Sequence, residues 1–222
     1  MLGCLGLRIK PKCIPCLIDV RSREAMRALG SSEKAFNLCI KVVREILRLL
    51  DETRQTTRIA TELYRIVLKT VGSDPYKADK EEANRIALAI LPRAESLLNR
   101  LEDRFERFRM AVRFSLVGNA IDPGVSGYKF NLSELERAVQ TVKLQVDDTA
   151  AAFRLIGNGS EVLYLCDNAG EIVFDRLLVR ELRRIGAHVT VAVRSEPYQN
   201  DATLEDAEAS GMAEEADGLM AC

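Results

Sequence analysis

Features that mark membrane, secreted and nucleic-acid-binding proteins are missing from this sequence of 222 residues. It has no apolar run approaching the roughly 20 residues of a membrane-spanning helix. Its start lacks a secretory pattern, because Arg8, Lys10 and Lys12 follow the first apolar residues instead of preceding them. The net charge is −1, so no positive excess indicates a polyanion partner. We therefore expect a soluble, cytoplasmic protein with no membrane or nucleic-acid partner; the sequence leaves its oligomeric state open.

The residues required for several kinds of catalytic site are missing as well. The one histidine, His188, lies within a strand pattern, and no nucleophile elbow surrounds a serine or cysteine. This argues against a serine or cysteine hydrolase. The sequence also lacks the Gly-x-Gly-x-x-Gly run that lets a backbone approach a pyrophosphate closely.

Cysteine occurs six times, and without a secretory pattern we do not expect a disulfide framework. Cys13 and Cys16 form a C-x-x-C motif, and Cys39 on the next predicted helix is the candidate for a third sulfur. Two interpretations remain open. These thiols are ordinary buried residues, which pack as small hydrophobes, or they form a second metal or thiol site.

Periodicity divides the chain into a helical part and a part with strands. Apolar residues have helical spacing from residue 20 to about 115, and a further helix is predicted at about 133–153. One helix has a clear start at Ser31-Ser32. Its predicted buried face is an apolar stripe formed by Phe36, Cys39, Ile40, Val43, Ile46, Leu47 and Leu50.

The later part contains a strand–helix–strand unit. Apolar runs at 162–166 and 189–193 predict buried strands, and the apolar spacing at 172–185 predicts a helix between them. Residues 218–222 resemble the opening of another strand. Because a parallel sheet normally needs helices on both faces and only two or three strands are found, we expect an incomplete domain.

Two acid–amide pairs lie at equivalent places in this unit. Asp167-Asn168 directly follows the first strand, and Asn200-Asp201 lies a few residues beyond the second. Loops after successive parallel strands open at the same carboxyl edge, where α/β sheets place their ligands. We therefore expect the oxygen atoms of the two pairs to converge, and such hard donors favour Mg²⁺ or Mn²⁺ over zinc.

A second interpretation of the first pair remains open. Asp and Asn are common after strands because they form turns and cap helices, and Glu171 lies where a carboxylate completes an N-terminal cap. The same helix start also favours a phosphate through its N–H groups. Beyond Arg194 the chain is acidic, and a solvated helix accounts for most of these acids. Asp201 is the functional candidate among them because it lies in the loop.

Several stretches together resemble the metal-dependent damage-control phosphatases, in particular their short prokaryotic and archaeal branch. The matching stretches are residues 10–17, residues 72–76 with Lys80 and Asn84, and residues 118–122, 166–171 and 200–203. They occur in the family's order over nearly the whole chain, so they are specific jointly although each is weak alone.

The resemblance implies a fold of the α+β or α/β class, with a helical N-terminal domain over 1–115 and a Rossmann-like three-layer α/β domain over 116–222. It also implies a divalent metal, Mn²⁺, Co²⁺, Ni²⁺ or Mg²⁺, held by Asp167, Asn168 and Asp201. The family continues to a Lys-Gly-x-x-Asn motif that contributes to phosphate handling. Nothing here matches that motif, so we expect a C-terminally truncated chain whose activity is open.

The function implied is hydrolysis of phosphomonoesters of small metabolites such as sugar phosphates, with water activated by the metal as the attacking group. The expected catalytic residues are Asp167 and, for proton transfer, Asp122. The expected substrate-binding residues are Asn119, Glu171 and Gly170, where Gly170 allows close backbone approach. The alternatives are a non-catalytic Rossmann-like nucleotide- or metal-binding module, or an inactive fragment of such a phosphatase.

Overall fold

The structure is a computed structural model that describes residues 8–119 and 132–222, with side chains described for 8–119 and 137–222. The chain forms two compact units, Met1–Pro75 and Tyr76–Cys222. The helices from residue 77 onward therefore belong to the same compact unit as the strands. The division into domains at 115 and 116 stays a prediction.

Over its described residues, 8–75, the first unit contains three helices: α1 (Cys13–Leu29), α2 (Glu33–Glu52) and α3 (Thr56–Val71). Helix α2 starts where the sequence predicts, because the Ser32 hydroxyl accepts the N–H of Ala35 at 3.2 Å and caps the helix. The predicted N-terminal helices are confirmed in this unit.

The predicted buried face of α2 is wrong. The residues that α2 buries are Ala35, Leu38, Val42, Ile46 and Leu49. Four members of the predicted stripe are instead exposed: Phe36, Ile40, Val43 and Leu47. Apolar residues occur on two sides of this helix, so periodicity alone could not decide which side meets α1 and α3.

The second unit combines seven helices with a three-stranded sheet within the described residues. In chain order these elements are α4 (Lys77–Asn99), α5 (Arg104–Gly118), α6 (Leu132–Thr141), α7 (Thr149–Leu155), β1 (Glu161–Leu165), α8 (Glu171–Ile185), β2 (His188–Val193), α9 (Leu204–Ser210), α10 (Met212–Glu215) and β3 (Gly218–Ala221). All pairings are parallel, in the order β1-β2-β3. The predicted fold class is confirmed, and so is the third strand.

One predicted helix is divided in two. Helices α6 and α7 replace the single helix expected at 133–153. The Asp147 carboxylate accepts the N–H of Thr149 at 3.1 Å and its hydroxyl at 2.6 Å, which forms a turn just before α7. Such local side-chain bonds compete with helical hydrogen bonds and explain the break.

Helices cover one face of β1. Val162 and Tyr164 pack against the core that α4, α5 and α8 form with the sheet, whereas Leu163 and Leu165 on the opposite face are exposed. The register pairs Glu161 with His188, so β1 and β2 have their carboxyl ends at the same edge. Among the described residues, no helix combines the length and apolarity needed to cross a lipid bilayer.

Candidate functional site

The loops that follow β1 and β2 are joined to each other by backbone hydrogen bonds. The N–H of Ala169 donates to the carbonyl of Asn200 at 2.9 Å, and the N–H of Ala202 donates to the carbonyl of Asp167 at 2.7 Å. Asn168 and Asp201 therefore form an isolated antiparallel bridge. The two acid–amide pairs lie side by side at the carboxyl edge of the sheet.

Asp167 does not cap the helix that follows it. Helix α8 has Gly170 at its N-cap position and no side-chain cap, so the capping interpretation of Asp167 is wrong. The Asp167 side chain is exposed. None of the described side chains is hydrogen-bonded to its carboxylate. Asp167 is thus a solvent-accessible carboxylate beside the partner loop.

Asp201 is partly buried and paired with a cation. Its Oδ2 accepts a hydrogen bond from Nε of Arg194 at 2.7 Å, and the Arg194 guanidinium lies 5.5 Å from the ring centre of Tyr198. Burial raises the pKa of Asp201 and the Asp167 carboxylate adds to this effect, while Arg194 opposes it. Arg194 is therefore part of the site's electrostatics.

Two further carboxyl groups extend the cluster into α8. Burial, followed by the charges of Asp175 and Asp167, raises the pKa of Glu171 to about 7. Burial likewise raises the pKa of Asp175 to about 6, and the Asp167 charge adds to it. Hydrogen bonds from Ser115 and Tyr164 to Asp175, at 2.6 and 2.7 Å, act in the opposite direction. The Asp167 charge thus acts on both acid groups of α8.

Glu171 links the loop after β1 to the end of α5. Its Oε2 accepts hydrogen bonds from Nδ2 of Asn119 at 2.9 Å and from Nδ2 of Asn168 at 3.3 Å. Asn119 therefore approaches Glu171 from the end of α5. Asp122 lies outside the described residues.

Gly170 is required by its backbone conformation and by its neighbour. Its φ is +82°, and a Cβ there would lie 3.0 Å from Cβ of Ala83 on α4. The close approach that this glycine makes is thus to α4. Its N–H donates to Oδ1 of Asn84 at 2.7 Å and that of Ala169 donates to Asn200, so the protein itself uses both donors.

Asp206 is buried, which corrects the expectation that it lies on a solvated helix. Its Oδ1 accepts from Nδ2 of Asn84 at 2.9 Å, and its Oδ2 accepts the N–H and the hydroxyl of Thr203 at 2.9 and 2.7 Å. Nζ of Lys80, also buried, lies 3.5 Å from Oδ2. Asp206 and Thr203 form a capping box at the start of α9.

The donor chemistry at the sheet edge fits a hard divalent cation, since it consists of carboxylate and amide oxygens. Within the described ranges, no group of three or more His, Cys, Asp or Glu side chains is arranged to hold a metal ion. The set Asp167, Asn168 and Asp201 includes an amide and stays a prediction. The same holds for the site of Cys13, Cys16 and Cys39, of which Cys16 is exposed.

Three site residues were missed in the sequence although signals for them exist. Thr203-x-x-Asp206 is a capping-box pattern that begins two residues after Asp201. Asp175 is an acid within the apolar run of α8. Arg194 directly follows β2 and is the last basic residue of the chain.

Comparisons with known proteins agree with the resemblance. A family model described as damage-control phosphatase ARMT1-like domain matches residues 9–221. A protein of Archaeoglobus fulgidus named damage-control phosphatase is 35% identical over 223 residues, a match that covers 96% of this chain and 74% of that protein. An uncharacterized protein of Methanocaldococcus jannaschii is 32% identical over 205 residues, covering 91% and 67%.

The fold is also found in a solved structure. The crystal structure of a DUF89 family protein from Pyrococcus horikoshii matches with a TM-score of 0.83 and covers 97% of this chain and 74% of that one. The sequence identity is 23%, so this likeness shows the fold.

Proposed function

The chain belongs to the family of damage-control phosphatases with an ARMT1-like domain, and from that premise we propose that it hydrolyses phosphomonoesters of small metabolites, such as sugar phosphates, with a divalent cation. The family and its metal dependence support a phosphatase role. The observation that carries the finer proposal is the backbone pairing of the two acid–amide loops at the carboxyl edge.

Asp167, Asn168 and Asp201 are the proposed ligands of Mn²⁺, Co²⁺, Ni²⁺ or Mg²⁺. When bound, such an ion neutralises phosphoryl oxygens and lowers the pKa of a coordinated water. Asp167 and Asp201 supply charge, while Asn168 supplies an oxygen without further repelling the substrate. The ion pair with Arg194 holds the Asp201 carboxylate in one orientation.

Glu171 and Asn119 are proposed to line the substrate side of the site. Burial raises the pKa of Glu171 to about 7, which favours its neutral form and lessens its repulsion of a phosphate. Its hydrogen bonds hold the amides of Asn119 and Asn168 in place. Asp122 remains the proposed proton-transfer group, and Gly170 acts through the shape of its turn.

The decisive variant is Asp167→Ala in the full chain. We expect Mn²⁺-dependent phosphate release from a panel of sugar phosphates to fall by roughly 100-fold or more, because even outer-shell partners of a metal contribute about 10- to 100-fold. Chelation of the metal in the unchanged chain should have a similar effect. The measurement is kcat/KM with and without added Mn²⁺.

Asp148→Ala is the matched control, because Asp148 is an exposed aspartate that takes part in none of the hydrogen bonds between the two loops. It should leave phosphate release unchanged. Full activity of a folded Asp167→Ala variant would rule out the proposed ligand set. If the unchanged chain released no phosphate from any phosphomonoester tested with each of the four metals, the proposed reaction would be ruled out.

A further inference from the structure

One side chain of helix α4 is hydrogen-bonded to the loop after β1 and to the first turn of α9, which follows the loop after β2. Oδ1 of Asn84 accepts the N–H of Gly170 at 2.7 Å, and Nδ2 of Asn84 donates to Oδ1 of Asp206 at 2.9 Å. Oδ2 of Asp206 in turn accepts the N–H and hydroxyl of Thr203. The result is a continuous relay from Gly170 through Asn84 and Asp206 to Thr203.

Each end of this relay is attached two residues beyond a proposed ligand. Gly170 follows Asn168 by two positions, and Thr203 follows Asp201 by two positions. Since the intervening backbone is short, a shift at either end moves a ligand oxygen. We propose that Asn84 and Asp206 are positioning residues that hold the two loops in register and thereby set the affinity of the proposed cation site. This inference rests on the proposed function.

The relay is buried and each polar atom in it has a defined partner. Asn84 is 4% exposed and Asp206 is 6% exposed. Removing the Asn84 amide would leave the Gly170 N–H and an Asp206 oxygen without this partner, and unpaired buried polar groups are costly. The chain therefore has a strong preference for the one loop arrangement that satisfies them all.

Two residues near Asn84 on α4 contact the same partners as Asn84 does. Lys80, one turn earlier, places Nζ 3.5 Å from Oδ2 of Asp206 and supplies the positive charge that a buried carboxylate needs. A Cβ at position 170 would lie 3.0 Å from Cβ of Ala83, so the glycine is what allows the loop to approach Asn84 closely. The same face of α4 thus contributes a cation, a close contact with the Gly170 backbone and an amide.

The chain allows a reciprocal exchange of the two side chains. Asn84→Asp alone places two carboxylates against each other, and Asp206→Asn alone leaves two amides with one charge removed. The double variant N84D/D206N restores every hydrogen bond of the relay: an aspartate accepts the Gly170 N–H and an amide N–H, and the new asparagine accepts from Thr203. It also keeps the net charge beside Lys80.

The experiment measures Mn²⁺ affinity by calorimetry on the full chain, together with amide hydrogen exchange of Ala169 and Ala202 without metal. We expect each single variant to weaken Mn²⁺ binding about 10- to 100-fold, as for outer-shell partners, and to speed exchange of both amides. The exchanged pair should bind within a few-fold of the unchanged chain. Asn99→Asp, the same substitution at an exposed position of α4, should change neither quantity.

The outcomes separate this inference from the proposed function. Single variants that fold, bind Mn²⁺ normally and keep both amides protected would overturn the positioning role. So would an exchanged pair that folds but binds as weakly as the single variants. If the single variants do not fold, the exchanged pair decides alone. If the unchanged chain does not bind Mn²⁺, the proposed function fails, and the exchange rates of Ala169 and Ala202 still decide whether the relay holds the loops.

Discussion

At the scale of single residues, Asp175 shows how packing changes the chemistry of a side chain. It lies within the apolar run of α8 and is 1% exposed. Ser115 and Tyr164 both donate to its Oδ1, and the charge of Asp167 acts on it. Burial raises the pKa of Asp175 from its ordinary 3.8 to about 6, so that at neutral pH it is a buried carboxylate.

This raised pKa predicts a pH dependence of stability. A group that binds its proton more tightly in the folded state contributes stability that is complete below pH 3.8 and is lost as the pH rises through about 6. Relative to Asp175→Asn, which does not titrate, the unchanged chain should lose up to about 3 kcal/mol of unfolding free energy over this range, at about 1.4 kcal/mol per pH unit. Denaturant unfolding at pH 4, 5 and 6 measures this difference.

Gln145→Ala, at an exposed position whose side chain does not titrate, serves as the control, and its stability relative to the unchanged chain should stay nearly constant from pH 4 to 6. If the difference in unfolding free energy between Asp175→Asn and the unchanged chain were equally constant, burial would not destabilise the charged form of Asp175.

At the scale of elements, α2 and α8 were predicted with different success. The bounds of α8 agree with the sequence pattern within one residue, and its Ile172, Val173 and Phe174 are buried. For α2 the start was predicted correctly, but the buried face was not. Helix existence depends on local spacing and caps, whereas the choice between two apolar faces depends on which neighbour packs there.

The buried face of α2 can be tested with two identical substitutions. Leu38 is 1% exposed and Leu47 is 63% exposed. Leu38→Ala should lower the free energy of unfolding by about 2–5 kcal/mol because it creates a cavity in the core. Leu47→Ala should stay within about 0.5 kcal/mol of the unchanged chain. Equal effects of the two substitutions, measured by denaturant unfolding, would contradict this assignment.

At the scale of the whole molecule, all described residues of the proposed cation site belong to one compact unit, Tyr76–Cys222. A ligand that binds only the folded state stabilises it by mass action, about 2.7 kcal/mol at 100 times its dissociation constant. Binding of Mn²⁺ should therefore stabilise the folded state of the unit Tyr76–Cys222.

We expect saturating Mn²⁺ to slow amide hydrogen exchange in the loops after β1 and β2, at Ala169 and Ala202 in particular. Amides of α2 should exchange at unchanged rates. The matched control is the Asp167→Ala chain, in which Mn²⁺ should slow neither loop. Protection confined to α1, α2 and α3 would instead indicate that the cysteines of the first unit hold the metal.

Three features could be predicted from the amino-acid pattern: the strand–helix–strand unit, the position of both acid–amide pairs after their strands, and the family. Strand and helix periods, turn residues and motif order are local properties, and they can be read along the chain. The convergence of the two loops followed from one general rule about parallel sheets.

The side chains that surround those pairs could be identified only from the folded chain. Asn84 and Asp206 lie 122 positions apart, and Asn84 and Gly170 lie 86 apart. The bond between Arg194 and Asp201, the burial of Asp175 and the buried face of α2 likewise depend on how elements pack. Such contacts are set by the simultaneous satisfaction of buried polar groups and apolar surfaces, which no local pattern encodes.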